Sequence, residues 1–384
     1  MERIPLKDNP TGRGLMLLTL TLLALGVVMV HSALASVAEP GEWYVRVDIR
    51  HTIFAALAMI VMLLTWRIDY HWLNKGRRMP YLAGAMLAVA IVLSVIVLLR
   101  VPGIAHNMGG KWRWIRIGPP ALRIGFQPSE LIKVGLVIFL AAWLTSETVN
   151  VRSFWKTFLP AALLTGLCAA LVIKNDFGSA GVIALAAMAT MILAGVPWYH
   201  LTAMILPAAA GVYKYVVLDP DRWLRIQAML DPWSQENPSA FQPRQSLLAI
   251  IQGGWFGRGP GNGMLKLGYL PEDSTDFIFA VYCEEWGFAG AMLLIGLWMM
   301  WMFLVRRAAK RAPDRFGYVL AGSLGFVIAV QAVLHIAVDL VAAPPTGMSL
   351  PFISAGGTAL VVTAAAAAAI VSVSALRSDD PLAS

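Results

Sequence analysis

Charge is scarce in this chain. Asp, Glu, Lys and Arg supply 14% of its 384 residues, and hydrophobic residues supply 58%. A soluble domain carries about 25% charged residues. The chain therefore has too little polar surface to coat a globule, and it reads as an integral membrane protein. Cysteine is limited to Cys168 and Cys283, both in apolar runs. That excludes a disulfide scaffold and reads as two reduced core thiols. The histidines (His31, His51, His71, His106, His200 and His335) are scattered and read as lacking a second ligand at i+4. No zinc site is expected from them. There is no G-x-S-x-G elbow and no G-K-[ST] ending to a glycine loop. No basic stretch stands clear of the apolar runs, so nucleic acid is a poor partner.

Long apolar runs are plentiful. Spans of membrane length fall at about 14–36, 51–66, 81–100, 129–146, 157–174, 178–196, 199–218, 276–304, 317–341 and 352–376. The expectation is an all-α integral membrane protein of about ten transmembrane helices, with no strands, forming one polytopic domain over residues 1–384. The bases Arg3, Lys7 and Arg13, then an apolar run and Ala33-Leu34-Ala35, imitate a signal peptide. The run is long for one and is kept as a helix. Basic clusters at 75–78 and 306–315 favour a cytoplasmic N-terminus. The bases on the outer side then fall mostly in two loops, 100–128 and 219–275. With a net charge of +8, they suggest an anionic ligand at the outer face.

The longest polar interval runs from 219 to 287 and includes an extracytoplasmic loop at about 219–275. It holds Arg222, Arg225, Arg244, Arg258 and Lys266, then Glu272 and Asp276 where apolar sequence resumes. Asp276 suits a general base at the membrane boundary. It equally suits the first turn of a helix capped by Ser274. A glycine ladder at 257, 259, 261 and 263 follows no strand. It reads as a mobile or close-packed loop, not a nucleotide site.

Other polar residues interrupt the oily sequence. Glu130 and Lys133 share a helix face, either as a packing ion pair or as part of a polar cavity; the cavity is the reading adopted. In KWRWIR (111–116), Lys111, Arg113 and Trp114 fit an interfacial belt or a diphosphate clamp. Asn175-Asp176-Phe177-Gly178 is either a hairpin turn or an acid at a cavity mouth, able to hold a metal or orient a base. The irregular stretch 344–357 lies at membrane depth, where such backbone lines cavities.

Several strings together resemble the SEDS family, the FtsW/RodA-type proteins. They are FQPSE (126–130), DFG (176–178), LP followed by TDFIFAV (270–281), EEWG (284–287) and LPFIS (350–354) with Gly356-Gly357. The match spans nearly the whole chain, and the wording at 231–233 and 347–351 looks more like the division branch. The resemblance implies both termini in the cytoplasm and a bacterial inner-membrane location. It implies an outer loop between helices seven and eight, and lipid II-polymerising peptidoglycan glycosyltransferase activity. It also implies a class B penicillin-binding protein as partner. The family's essential aspartate falls on Asp276, its Arg-Trp on Arg113 and Trp114, its acid–base pair on Glu130 and Lys133, and Ser354 lies in a family string. Ser274, Asn175, Thr346 and Ala355 depart from the usual His, Pro, Lys and Tyr.

On this reading, Asp276 deprotonates the acceptor hydroxyl. Lys111, Arg113, Lys133 and loop arginines such as Arg222 and Arg225 steady the departing undecaprenyl diphosphate. A divalent ion (Mg or Mn) could share that charge, although no metal cage is evident. The competing readings are a lipid II translocator and a scaffold that only activates its partner.

Overall fold

The computed structural model describes residues 2–34, 46–76, 79–108, 111–117, 124–264 and 274–377. Helices dominate it. The first six are α1 (Pro10–Leu34), α2 (Val47–Thr65), α3 (Tyr81–Leu98), α4 (Pro128–Leu144), α5 (Leu159–Ile173) and α6 (Phe177–Leu193). Two short pieces follow, α7 (Trp198–Leu201) and α8 (Ile205–Val212). The polar interval contributes α9 (Pro220–Leu230) and α10 (Phe241–Gly253), and the bundle closes with α11 (Ile278–Lys310), α12 (Arg315–Asp339) and α13 (Gly357–Ser374).

Seven helical segments are long and apolar enough to cross a bilayer: α1, α2, α3, α11, α12, α13 and Phe154–Ile173, which ends in α5. Trp198–Val217 and α9, bent by 90°, would make an eighth. α4 and α6, at 17 residues each, stand at the short end of the range for a span. The run at 199–218 is continuous but irregular: a 3₁₀ turn at Thr202–Met204 precedes Pro207, which cannot donate back to residue 203, and the 90° bend comes after Val217. Both cysteines are free and buried. The alanine run of α13 is largely buried, and α13 packs against α1, α2 and α12, as small residues allow.

The strand-free expectation is corrected. β1 (Glu2–Arg3) pairs with β5 (Leu376–Arg377) and sets the two ends of the described chain side by side. Between α3 and α4, β2 (Ala105–Met108), β3 (Lys111–Ile117) and β4 (Ile124–Phe126) form an antiparallel sheet in the order β2-β3-β4. KWRWIRI mixes bases with aromatic and β-branched residues, which suits a two-faced ribbon. At seven residues or fewer, these strands are too short to register as membrane-barrel segments.

Residues 219–264, the described part of the polar interval, are also more than a loop. α11 breaks at Gly287, where φ is 66° and ψ is −166°. The break frees backbone groups that a membrane cannot hydrate. The glycine segment satisfies them. Arg258 and Gly259 donate to the carbonyls of Glu284 and Glu285 at 3.0 Å each. Phe288 and Ala289 donate to the carbonyls of Gly254 and Trp255, at 2.8 and 3.0 Å. A Cβ on Gly257 or Gly287 would strike the opposing backbone. Of the two readings of the glycine ladder, close packing is what the fold uses.

Candidate active site

Asp276 precedes α11 by two residues, and two other segments are held against it. Ala355 N–H donates to the Ser274 carbonyl at 3.0 Å, docking the 350–357 turn. That turn is closed by Ser354, whose buried hydroxyl accepts from Leu350 N–H at 2.7 Å. Gly347 has φ 71°. A methyl group built there would lie 3.3 Å from Asp276 Oδ2 and 3.8 Å from Arg113 Nη1. The aspartate and the arginine therefore face the same glycine.

Arg113 extends from β3 and is fixed in place. Its Nε donates to the Asn175 carbonyl at 2.8 Å, and its Nη1 reaches Asp176 Oδ2 at 3.3 Å. Asp176 caps α6 by accepting from Ser179 N–H at 2.9 Å. Its Oδ2 also accepts from Ser179 Oγ at 2.9 Å and Gln127 Nε2 at 3.4 Å. Turn and site are thus one arrangement, because the capping acid orients the arginine. With four donors around it, Asp176 has little left for a metal. Among the described residues no three His, Cys, Asp or Glu side chains converge on one point.

Beside this arrangement opens a cavity of about 290 Å³. Arg100, Arg113, Lys174, Arg222 and Arg225 line it, against the acids Asp219 and Asp221. The excess of cations fits an anion. Thr346 forms part of the wall, one residue before the glycine that touches Asp276. Arg225 donates to the Pro345 carbonyl at 3.2 Å and feels the charges of Arg113 and Asp276. Arg222 is largely committed: it donates to the carbonyls of Tyr215, Ile173 and Lys174 and approaches Asp219. It shapes the wall more than it offers free donors.

Other candidates fall elsewhere. Glu130 and Lys133 form an ion pair at 2.8 Å, and both are buried. They are not among the residues that line the 290 Å³ cavity. The reason is that α4 is surrounded by α3, α5, α6, α12 and α13, so even its polar face is interior. Their neighbours Pro128 and Ser129 do reach a small crevice shared with Arg113 and Asp176. Trp114 pairs across the sheet with His106 and lies outside the cavity wall. Glu272 and the Lys111 side chain lie outside the described residues.

The capping reading of Ser274 is also corrected. The residue that caps α11 is Phe277, without a side-chain cap bond. Ala280 N–H instead donates to Asp339 Oδ2 at 2.9 Å. Sequence reasoning passed over Arg100, Lys174, Gly347, His335 and Asp339. The first two had a signal, since both end apolar runs on the side assigned to the outer loops. Asp339 also had one, because it lies at i+4 from His335, contrary to the reading of the histidines as lacking such a partner.

The family model for FtsW, RodA and SpoVE, described as a cell cycle protein, matches residues 13–379. The chain belongs to this family. It is 34% identical over 371 residues to a probable peptidoglycan glycosyltransferase FtsW of Halomonas elongata, with 94% of this chain and 90% of that one covered. It is 36% identical over 375 residues to another of that name from Alcanivorax borkumensis, with 94% and 93% covered. A chain from a structure titled for coordination of polymerization and crosslinking by a peptidoglycan synthase complex shares the fold. Its TM-score is 0.74 at 25% identity, covering 94% of this chain and 97% of that one. The rod shape determining protein RodA of Thermus thermophilus has the same fold, with a TM-score of 0.67 at 24% identity and 96% and 97% covered. The two FtsW relatives agree with the division-branch wording of the sequence.

Proposed function

We propose that this chain is an inverting, lipid-linked peptidoglycan glycosyltransferase that polymerises lipid II. One observation carries the reading: a half-buried carboxylate, Asp276, shares Gly347 as neighbour with an anchored Arg113, and Arg113 lines a cavity walled by bases. Asp276 takes the proton from the GlcNAc 4-hydroxyl of the acceptor as that oxygen attacks the anomeric carbon of the donor sugar. A new C–O bond forms, and the bond from that carbon to the diphosphate oxygen breaks. The electron pair leaves with undecaprenyl diphosphate. Arg113, Arg225, Arg100 and Lys174 form a fixed positive field for that departing charge. A divalent ion carried on the diphosphate is compatible with this wall.

The family setting supports a place in the bacterial inner membrane, with both termini cytoplasmic. It also supports a class B penicillin-binding protein as partner, so that a cross-linking enzyme receives the glycan as it forms.

The test is glycan formation from lipid II in detergent by the purified chain with its partner, comparing wild type with Asp276→Asn. The amide keeps the shape and cannot take the proton at working pH. Polymerisation should fall at least about 10²-fold, the lower range for a positioned acid–base group. Thermal stability should stay near wild type. Near-normal polymerisation by Asp276→Asn would refute the role of the base. A translocator makes no glycan in detergent, and a scaffold leaves polymerisation indifferent to Asp276, so the same assay separates all three readings.

A further inference from the structure

Behind Asp276 lies a buried pair that the reaction above does not use. His335 and Asp339 stand one turn apart on α12, and both side chains have 0% exposure. His335 Nδ1 lies 2.8 Å from the Met348 carbonyl. A carbonyl only accepts, so Nδ1 carries the proton and donates. The other ring nitrogen, Nε2, faces Asp339 Oδ2 at 3.6 Å. That same oxygen accepts from Ala280 N–H at 2.9 Å. The Asp339 carbonyl in turn accepts from Ser246 Oγ on α10 at 2.7 Å. Two residues further on, Val341 is held at φ 57°, a region costly for a β-branched residue. Such strain persists where surrounding contacts over-determine the backbone.

These contacts end on the segments that carry and flank Asp276. Met348 follows Gly347, whose α-carbon faces the Asp276 carboxylate. Ala280 sits in the first turn of α11, four residues after Asp276. We propose that His335 and Asp339 are positioning residues for Asp276, clamping from behind the two backbone segments that set where its carboxylate points. The proposal rests on Asp276 being the general base. A displacement of about 1 Å at a reacting group can cost 10²-fold in rate, so a clamp of this kind has kinetic consequences without touching substrate.

The experiment uses the full chain with its partner and fluorescently labelled lipid II, reading kcat, KM and thermal stability separately. Asp339→Leu removes the side-chain acceptor for Ala280 N–H and leaves it only the Phe277 carbonyl at 3.1 Å, so the first turn of α11 is no longer tied to α12. It should lower kcat at least about tenfold, within the range for a misplaced group, and leave KM within about twofold. Asp339→Asn keeps an acceptor oxygen for Ala280 and should restore most of kcat. His335→Asn places a donor where Nδ1 lies, whereas His335→Gln places one where Nε2 lies. Asparagine should therefore retain kcat and glutamine should lose it. A merely structural role would lower the amount of folded protein, but would not separate kcat from KM or asparagine from glutamine. If Asp339→Leu does not fold, the asparagine–glutamine pair decides: equal kcat in both overturns the proposal. Unchanged kcat in a folded Asp339→Leu also overturns it. Asp276→Asn runs alongside. If it polymerises normally, the base reading has failed. If it is inactive while every His335 and Asp339 variant works, only the clamp has failed.

Discussion

Gly347 lies against Asp276, and only a hydrogen atom fits comfortably between its α-carbon and the carboxylate. Its φ of 71° already excludes most side chains. A methyl group there would press on Asp276 Oδ2 at 3.3 Å and approach Arg113 Nη1 at 3.8 Å. Gly347→Ala should therefore act on the site rather than on the bundle. We expect kcat to fall several-fold, less than the roughly 10²-fold of a 1 Å misplacement because relief of the contact needs a smaller shift, with the chain still folded. Polymerisation at wild-type rate by Gly347→Ala would show that Asp276 tolerates displacement and does not act in a fixed geometry.

The same residues show how far the sequence could be read. Apolar run length found the helical segments, because a membrane helix must satisfy its backbone internally and so announces itself in composition. The family strings brought Arg113, Asp176 and Asp276 into one site. The Glu130–Lys133 pair was legible as a pair, through its i,i+3 spacing, but its place was not. Whether a helix face meets a cavity or another helix depends on neighbours far away in sequence. For α4 those neighbours close it on all sides.

The glycine ladder was opaque for a different reason. Its hydrogen-bond partners lie across the break at Gly287, and a break inside a long apolar run leaves little trace in composition. The sheet at 105–126 hid because its strands are short. The clamp on Asp276 hid because a helix-start signal is read locally: Ser274 looked sufficient as a cap, whereas the acceptor for Ala280 comes from Asp339, 59 residues on.

Gly287 gives a stability prediction. It combines φ 66° with backbone contact against Gly257, and four hydrogen bonds cross the break. Gly287→Ala adds unfavourable φ, worth about 1–3 kcal/mol, and pushes the two backbones apart. Groups at membrane depth would then lose their partners. Thermal stability in detergent and the yield of folded protein should both fall. A normal melting temperature would mean that the break can close into regular helix and that the glycine segment is dispensable.

His71 gives a pH prediction on the loop side of the bundle. Its ring lies 3.2 Å from Asp314 and 2.7 Å from Asp69, between α2 and α3 and against the start of α12. The hydrogen bond to Asp314 raises its pKa most, burial opposes it, and Asp69 adds to the rise. The Asp314 pKa is lowered, with burial opposing and the His71 and Tyr70 hydrogen bonds favouring the charged form. Because the folded state holds the His71 proton more tightly, this stabilisation is complete below the ordinary histidine pKa of about 6.5. It is lost as pH rises through the raised value. Melting temperature should therefore decline as pH rises above about 6.5 and His71 loses its proton. His71→Gln should flatten that decline, and an identical pH profile in the variant would remove His71 as its cause.

Glu130 and Lys133 give the last prediction. The pair is 2.8 Å apart at 5% and 1% exposure, inside a helix wrapped by its neighbours. Removing one member leaves the other charged and uncompensated, which costs about 3–5 kcal/mol. Replacing both with neutral groups of similar volume is often near neutral. Glu130→Gln alone should therefore lower melting temperature and yield sharply, and adding Lys133→Met should recover most of the loss. A double variant as impaired as the sum of the singles would refute the pairing. Polymerisation then places the pair relative to the chemistry. A stable double variant that still polymerises fits a pair sealed away from the cavity, which is the outcome expected from its position. A stable double variant without activity would assign Lys133 to the substrate and require the crevice beside Ser129 to open during the reaction.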